Sequence, residues 1–180
     1  MDPIVIAPHD PTWKRRFREL ATELRAALGA SALRIDHIGS TAVPGLAAKP
    51  MSDLQVSVAA LEPDSAYRPA LERRGWVFRA ANDDRTKRYF REPVGARRTH
   101  LNVRRSGSFS EQAALLLRGY LRATPARAAE YAALKHELAA RHASSRVDYV
   151  DAKAPFIWET LRLADAWAQR GGWQPGPSDA

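Results

Sequence analysis

Apolar residues at Trp13, Phe17, Leu20, Leu24 and Leu28 recur at steps of three and four. That spacing puts them on one face of an α-helix. Asp10-Pro11 supplies the helix start, with a side-chain acceptor for free N–H groups and a proline where no N–H is needed. Gly29 closes the run. Elsewhere the period is two. In Asp53-Leu54-Gln55-Val56-Ser57-Val58 the polar residues share one face of a strand and the apolar residues the other. Thr99-His100-Leu101-Asn102-Val103 repeats the alternation, so His100 and Asn102 share a face. Residues 4–6, 33–38, 76–78 and 87–90 read as further strands, and Pro93-Val94-Gly95 as the turn before the last one. Residues 64–74 read as a short amphipathic helix.

The C-terminal third turns helical. Ser108-Phe109-Ser110-Glu111 is a capping box. It opens a helix with Ala113, Leu116, Leu117, Tyr120 and Leu121 on one side. Thr124-Pro125 starts the next, whose buried face carries Tyr131, Leu134 and Leu138. The last helix carries Val150, Ile157, Leu161 and Ala164, and Pro155 is expected to kink it or reset its start. Residues 171–180, rich in Gly, Pro and Ser, are expected to fray. The order β-α-β-β-α-β-β-β followed by three helices predicts an α+β (mixed α/β) fold. One domain over residues 1–170 is expected, with the sheet in 1–105, the helices in 106–170 and a flexible tail after them.

Composition narrows the picture. A chain of 180 residues, 45% hydrophobic, can bury a core without staples. It has no cysteine, which excludes disulfides, zinc thiolate sites and thiol nucleophiles and fits a reducing cytoplasm, the expected location. The start, Met1-Asp2-Pro3-Ile4, does not read as a secretory leader. No stretch approaches the ~20 apolar residues of a membrane span. The charge is +8, and residues 68–105 carry twelve Arg or Lys against four Asp or Glu, which equals the whole excess. Such a segment implies an anionic partner such as a nucleotide, a coenzyme or RNA, or else simply an arginine-rich solvated surface.

Between two apolar runs lies His37-Ile-Gly-Ser-Thr-Ala-Val-Pro-Gly-Leu-Ala-Ala-Lys-Pro50. Gly39, Ser40 and Thr41 can bring bare backbone N–H groups and hydroxyls close to a phosphate. The alternative is a tight turn between strands. Asp53, a strand-borne carboxylate, can hold a metal ion. This stretch resembles the GrpB family, a branch of the nucleotidyltransferase-fold superfamily. The resemblance extends to Pro8-His-Asp-Pro-Thr-Trp13, His100-Leu-Asn-Val103, Tyr120-Leu-Arg-Ala-Thr-Pro125, Tyr131-Ala-Ala-Leu-Lys135 and Tyr149-Val-Asp-Ala-Lys153. It implies a mixed sheet flanked by helices, with the Gly-Ser loop facing acidic strand residues. Some relatives are fused to dephospho-CoA kinase, where the domain is linked to folding rather than catalysis.

Two departures bear on chemistry. Nucleotidyltransferases generally place an acidic pair at alternate positions of this strand, whereas here the pair is Asp53 and Gln55. They add a carboxylate from a neighbouring strand, which here offers His100 and Asn102. Two divalent ions need several carboxylates, so at most a single Mg²⁺ arriving with a nucleotide is expected on Asp53. His37 and His100 suit proton transfer, ligand contact or structural hydrogen bonds. Lys49 can neutralise a phosphate or stay solvated. Arg88, Tyr89, Arg91, Arg97 and Arg98 can meet phosphates, with Tyr89 and Phe90 as a stacking platform or as core. Lys153 shares a helix face with Tyr149. The expected site is thus Asp53 and His100 as catalytic groups, with His37, Gly39, Ser40, Thr41, Lys49, Gln55, Arg88, Asn102 and Lys153 as ligand contacts. Two functions follow: a nucleotidyltransferase-like protein that binds a nucleotide or phosphorylated ligand, or a noncatalytic binding or folding-assistance module. RNA binding is a third, lesser expectation.

Overall fold

The structure, a computed structural model, describes residues 4–180. The expectation of no secretory leader rests in part on residues 1–3 and to that extent lies outside the described residues. Helix α1 (Thr12–Leu28) is followed by β1 (Arg34–Ile38), β2 (Ser52–Val58), α2 (Arg68–Arg73), β3 (Val77–Phe78), β4 (Lys87–Arg91) and β5 (Thr99–Arg105). Helices α3 (Phe109–Ala123), α4 (Pro125–Arg141) and α5 (Arg146–Gly171) complete the chain. The five strands form one mixed sheet in the order β1-β2-β5-β4-β3. Only the central β2–β5 pair is parallel. The fold is α+β. Residues 4–6 make no strand, and among the described residues the pairing nearby is an isolated bridge between Ala7 and Ala48. No helix is long and apolar enough to cross a membrane among the described residues.

The alternation along each strand divides the sheet into an apolar and a polar face. Ile35, Leu54, Val56, Phe90, Leu101 and Val103 pack in one core with Phe17, Ala21 and Leu24 of α1 and Leu71 of α2. Full burial of such side chains contributes roughly 1.5–3 kcal/mol each, so this layer holds the sheet rigid beneath the site. The register pairs Asp53 with His100, Gln55 with Asn102, and Asp36 with Gln55. Tyr89 and Arg91 lie beside Asn102 and His100. All of these belong to the opposite, polar face.

Helix α3 covers part of that polar face with an unexpected stripe. Its buried residues are Glu111, Leu115, Arg118 and Leu121, so of the apolar set read from spacing only Leu121 is among them. The reason is complementarity, because a polar sheet face must be met by polar groups. The fully buried Glu111 carboxylate accepts from Ser57 Oγ and from Gly107 N at 2.8 Å. Ser108 caps the helix by accepting from Glu111 N, but the Glu111 side chain turns to the sheet rather than back to Ser108. Arg118 donates to His37 O at 2.7 Å and pairs with Asp36 at 3.7 Å. Glu111→Ala is expected to destabilise the protein by about 2–3 kcal/mol in urea unfolding, because the buried Ser57 hydroxyl and the Gly107 N–H lose their acceptor. A loss below about 0.5 kcal/mol would mean that these donors find other partners.

The other helices keep part of their predicted faces, Tyr131 and Leu138 in α4 and Ala164 in α5, and add polar residues to them. In α4 the buried residues include Lys135 beside Tyr131 and Leu138, and in α5 they are Tyr149, Thr160 and Ala164. Val150 is half exposed. Pro155 lies inside α5, which neither stops nor restarts there. The tail expected to fray lies along the outer edge of β1. Ser178 Oγ accepts from Ile35 N at 2.9 Å, and Asp179 accepts from His37 N at 2.9 Å. An edge strand leaves such backbone groups unpaired, and the tail supplies their partners.

Candidate functional site

Beyond β1 the chain turns at Gly39, with φ 71° and ψ −170°, a region that glycine alone adopts readily. A single 3₁₀ turn, Ser40–Ala42, follows. A Cβ on Gly39 would lie 2.6 Å from Asp53 Oδ2, so the turn rests directly against that carboxylate. Thr41 Oγ1 and His37 Nε2 are hydrogen-bonded at 2.9 Å. The His37 ring stacks on Phe17 at 4.9 Å, on the apolar side of the sheet. Burial pushes its pKa down to about 4, so it is a neutral brace for the turn.

Asp53 Oδ1 and His100 Nδ1 are 2.9 Å apart at the open end of the polar face. Both side chains are about one-third to one-quarter exposed, at 31% and 26%. A carboxylate on Nδ1 fixes the ring orientation and leaves Nε2 as the free nitrogen. The edge of Tyr89 approaches the His100 ring at 5.4 Å.

Above this pair the sheet and the C-terminal helices enclose a cleft with two lobes. The first, about 470 Å³, is bounded by the Ser40-Thr41 turn, Lys49, Lys135, Arg146, Tyr149 and Lys153. The second, about 450 Å³, runs between the sheet and α3 past Asn102 and Arg104. Asp53, His100, Ser40, Tyr89 and Tyr131 border both.

The first lobe gathers cations. Lys49 and Lys153 stand 4.0 and 4.5 Å from the centre of the Tyr149 ring, and Lys135 stands 4.5 Å from that of Tyr131. Among the described residues no carboxylate lies within 4 Å of Lys49, Lys135, Arg146 or Lys153. Lys135 is 2% exposed and donates to Ala47 O. Burial, then the neighbouring Lys153 charge, lowers Lys135 to about 7. Burial, then Lys153 and Arg146, lowers Lys49 to about 8. Burial lowers Lys153 as well, against the pull of Asp53. Cations crowded together without counter-ions are destabilising on their own, and an anion between them relieves that cost.

Residues 3–163 match the family model described as GrpB protein. The chain belongs to the GrpB family. It is similar to the crystal structure of the conserved protein GrpB from Enterococcus faecalis, with a TM-score of 0.81 and 32% identity over 91% of this chain and 99% of that one. It is 32% identical to YqkA of Bacillus subtilis over 98% of this chain and 50% of the relative. It is also 32% identical to a dephospho-CoA kinase of Mycolicibacterium paratuberculosis, over 96% of this chain and 49% of the kinase. The chain therefore spans about half the length of these last two relatives.

In this GrpB domain Asp53, His100, Ser40, Thr41, Lys49 and Lys153 come together around the first lobe. Gly39 and Asn102 border the second lobe. Three expected residues fall outside both. His37 lies on the apolar side against Phe17. Gln55 is fully buried, accepts from Arg104 Nη1 and donates to Glu111 O at 3.4 Å. Arg88 lies opposite Val103, on the apolar side, and pairs with Glu62. The alternation that brings Tyr89 and Arg91 to the cleft turns Arg88 away. Sequence reasoning missed Arg146 as a site residue, placed Tyr131 only on the buried face of its helix, and set Tyr149 only beside Lys153 on a helix face. The signal was available, since Tyr131/Lys135 and Tyr149/Lys153 repeat one four-residue spacing on adjacent helices.

The donor set does not fit a metal ion held by the protein. Among the described residues, no group of three or more His, Asp or Glu side chains converges. Asp53 already faces His100 and Gly39, and Gln55 is directed under α3. One carboxylate among four cations is a poor home for a divalent ion.

The two lysines predict opposite pH trends. Each loses its charge as pH rises through about 7 and about 8, below the 10.5 of a free lysine. Anion affinity is therefore expected to be highest below pH about 7 and to fall towards pH 9. Stability of the unliganded chain should rise with pH between about 7 and 10.5, because the unfolded state binds more protons there. Anion titrations and urea unfolding at both ends of the range test the two signs. Affinity that rises with pH would overturn the lysine assignment.

Proposed function

We propose that the cleft binds a nucleotide or another phosphorylated small molecule, with its phosphates in the first lobe. The observation that carries this reading is the set of four cations, without acidic partners, around one cavity that also meets the Ser40 turn. Phosphates satisfy all four at once, and Ser40 adds a hydroxyl donor. Asp53 orients His100, whose free nitrogen faces the chemistry of an acceptor hydroxyl if a nucleotidyl group is transferred. The nucleotidyltransferase resemblance supplies that reaction class, and binding does not depend on it. The single carboxylate favours a second reading, in which the domain keeps ligand binding, or assistance to folding, without turnover.

RNA binding finds less support. Four of the twelve basic residues in 68–105, namely Arg68, Lys87, Arg88 and Arg91, are engaged by nearby carboxylates, which reduces the charge available to a nucleic acid backbone.

Asp53→Asn separates the charge-based reading from a metal-based one. In a thermal-shift titration with inorganic pyrophosphate or nucleotides, the variant is expected to bind several-fold more tightly, because a negative charge leaves a cation-lined cavity. Loss of binding in the variant, and only in the presence of Mg²⁺, would instead assign Asp53 to a metal.

A further inference from the structure

The two lobes differ in charge, and the difference bears on what the second one takes. Of the cations bordering it, Lys87 pairs with Asp84 at 3.5 Å, and Arg118 is held by Asp36 and Asp179. Arg104 alone has no carboxylate within 4 Å among the described residues. Its guanidinium donates from Nη1 to Gln55 Oε1, and its buried Nε has no partner. The facing wall is apolar, formed by Ile38, Ala114, Leu117 and Leu121. Neutral amides, Asn82 and Asn102, complete it.

We propose that the second lobe is a subsite for a small carboxylate with an apolar body, held at Arg104 and reaching towards His100. One free guanidinium matches one carboxylate, whereas a polyphosphate is better matched by the four cations of the first lobe. The planar guanidinium fork fits a carboxylate in a bidentate manner. The aliphatic wall of α3 takes the body, which a free inorganic anion lacks. His100 and Arg104 are four residues apart on β5, about 13 Å along the strand. A ligand spanning them therefore needs a chain of several carbons. Asp53, at the junction of the lobes, repels a carboxylate and keeps that end at Arg104. The inference rests on the first lobe as the phosphate site and makes the second lobe the place of an acceptor or effector acid.

Hexanoate and pyrophosphate test the lobes separately on the full chain by amide NMR titration. Hexanoate is expected to shift amides around residues 102–104 and 114–117, and pyrophosphate those around 40–41, 49 and 149–153. Hexanol and acetate should each bind at least ~tenfold more weakly than hexanoate, since each lacks one recognised part. Arg104→Lys keeps the charge but loses the fork. It should weaken hexanoate ~tenfold while pyrophosphate stays within about twofold. Hexanoate that shifts the first-lobe amides, or binds the variant unchanged, overturns the subsite. The map on the unmodified chain decides the matter even if the variant fails to fold. A chain that binds hexanoate as described but ignores pyrophosphate contradicts the phosphate reading and leaves the carboxylate site standing.

Discussion

Gly39→Ala is expected to destabilise the protein by about 2–4 kcal/mol, the largest single-methyl effect in the chain. Two costs add. The backbone at φ 71° and ψ −170° lies where a residue with a Cβ is strained. The new methyl would also stand 2.6 Å from Asp53 Oδ2, so either the carboxylate or the turn must move. Moving Asp53 releases His100 from its 2.9 Å contact, so ligand binding should suffer with stability. Gly45→Ala is the control. Its φ is 77°, but nothing lies within 4 Å of the added carbon, so only the conformational cost of about 1–2 kcal/mol remains. Urea unfolding of the two variants separates strain from crowding. Equal losses would show that contact with Asp53 does not matter.

Removing charge from the first lobe should have the largest effect on binding. Lys49→Gln with Lys153→Gln is expected to weaken pyrophosphate binding by at least ~100-fold. Each charged hydrogen bond contributes roughly 1.5–3 kcal/mol, or about ten- to a hundredfold. The same double variant should be no less stable than the parent. Burial lowers both lysines, and the charge of Lys153 also burdens Lys49 and Lys135. Improved or equal stability with lost affinity is the signature of a binding site, where function is kept at the expense of the fold. If the double variant is less stable but binds pyrophosphate as tightly as the parent, the lysines serve the helix packing around Tyr149.

The fold was legible because its periods are clean. Leu54, Val56 and Val58 alternate with Asp53, Gln55 and Ser57, and the structure assigns the two sets to opposite faces of β2. Helix α1 keeps Trp13, Phe17, Leu24 and Leu28 in its buried stripe. The C-terminal helices were harder to read because their buried faces are not apolar. Glu111, Arg118 and Lys135 are buried by partners that lie far away in sequence, and periodicity of hydrophobic residues carries no trace of them. Within the site, Asp53, His100 and the Ser40 turn come from one short region and one register, so they were found. Arg88 was misjudged because position along a strand says nothing until the face is fixed, and Phe90 on the apolar side fixes it. Arg146 reaches the cleft only through the packing of α5, which no local pattern specifies.

The central claim is that four side-chain cations, rather than a metal, make the phosphate site. Calorimetric titration of inorganic pyrophosphate into the unmodified chain, with a chelator present, tests it most directly. The expected result is saturable one-to-one binding without Mg²⁺ that weakens from about pH 6 to about pH 9, across the values of Lys135 and Lys49. Binding that appears only when Mg²⁺ is added, or no binding at all, would contradict it.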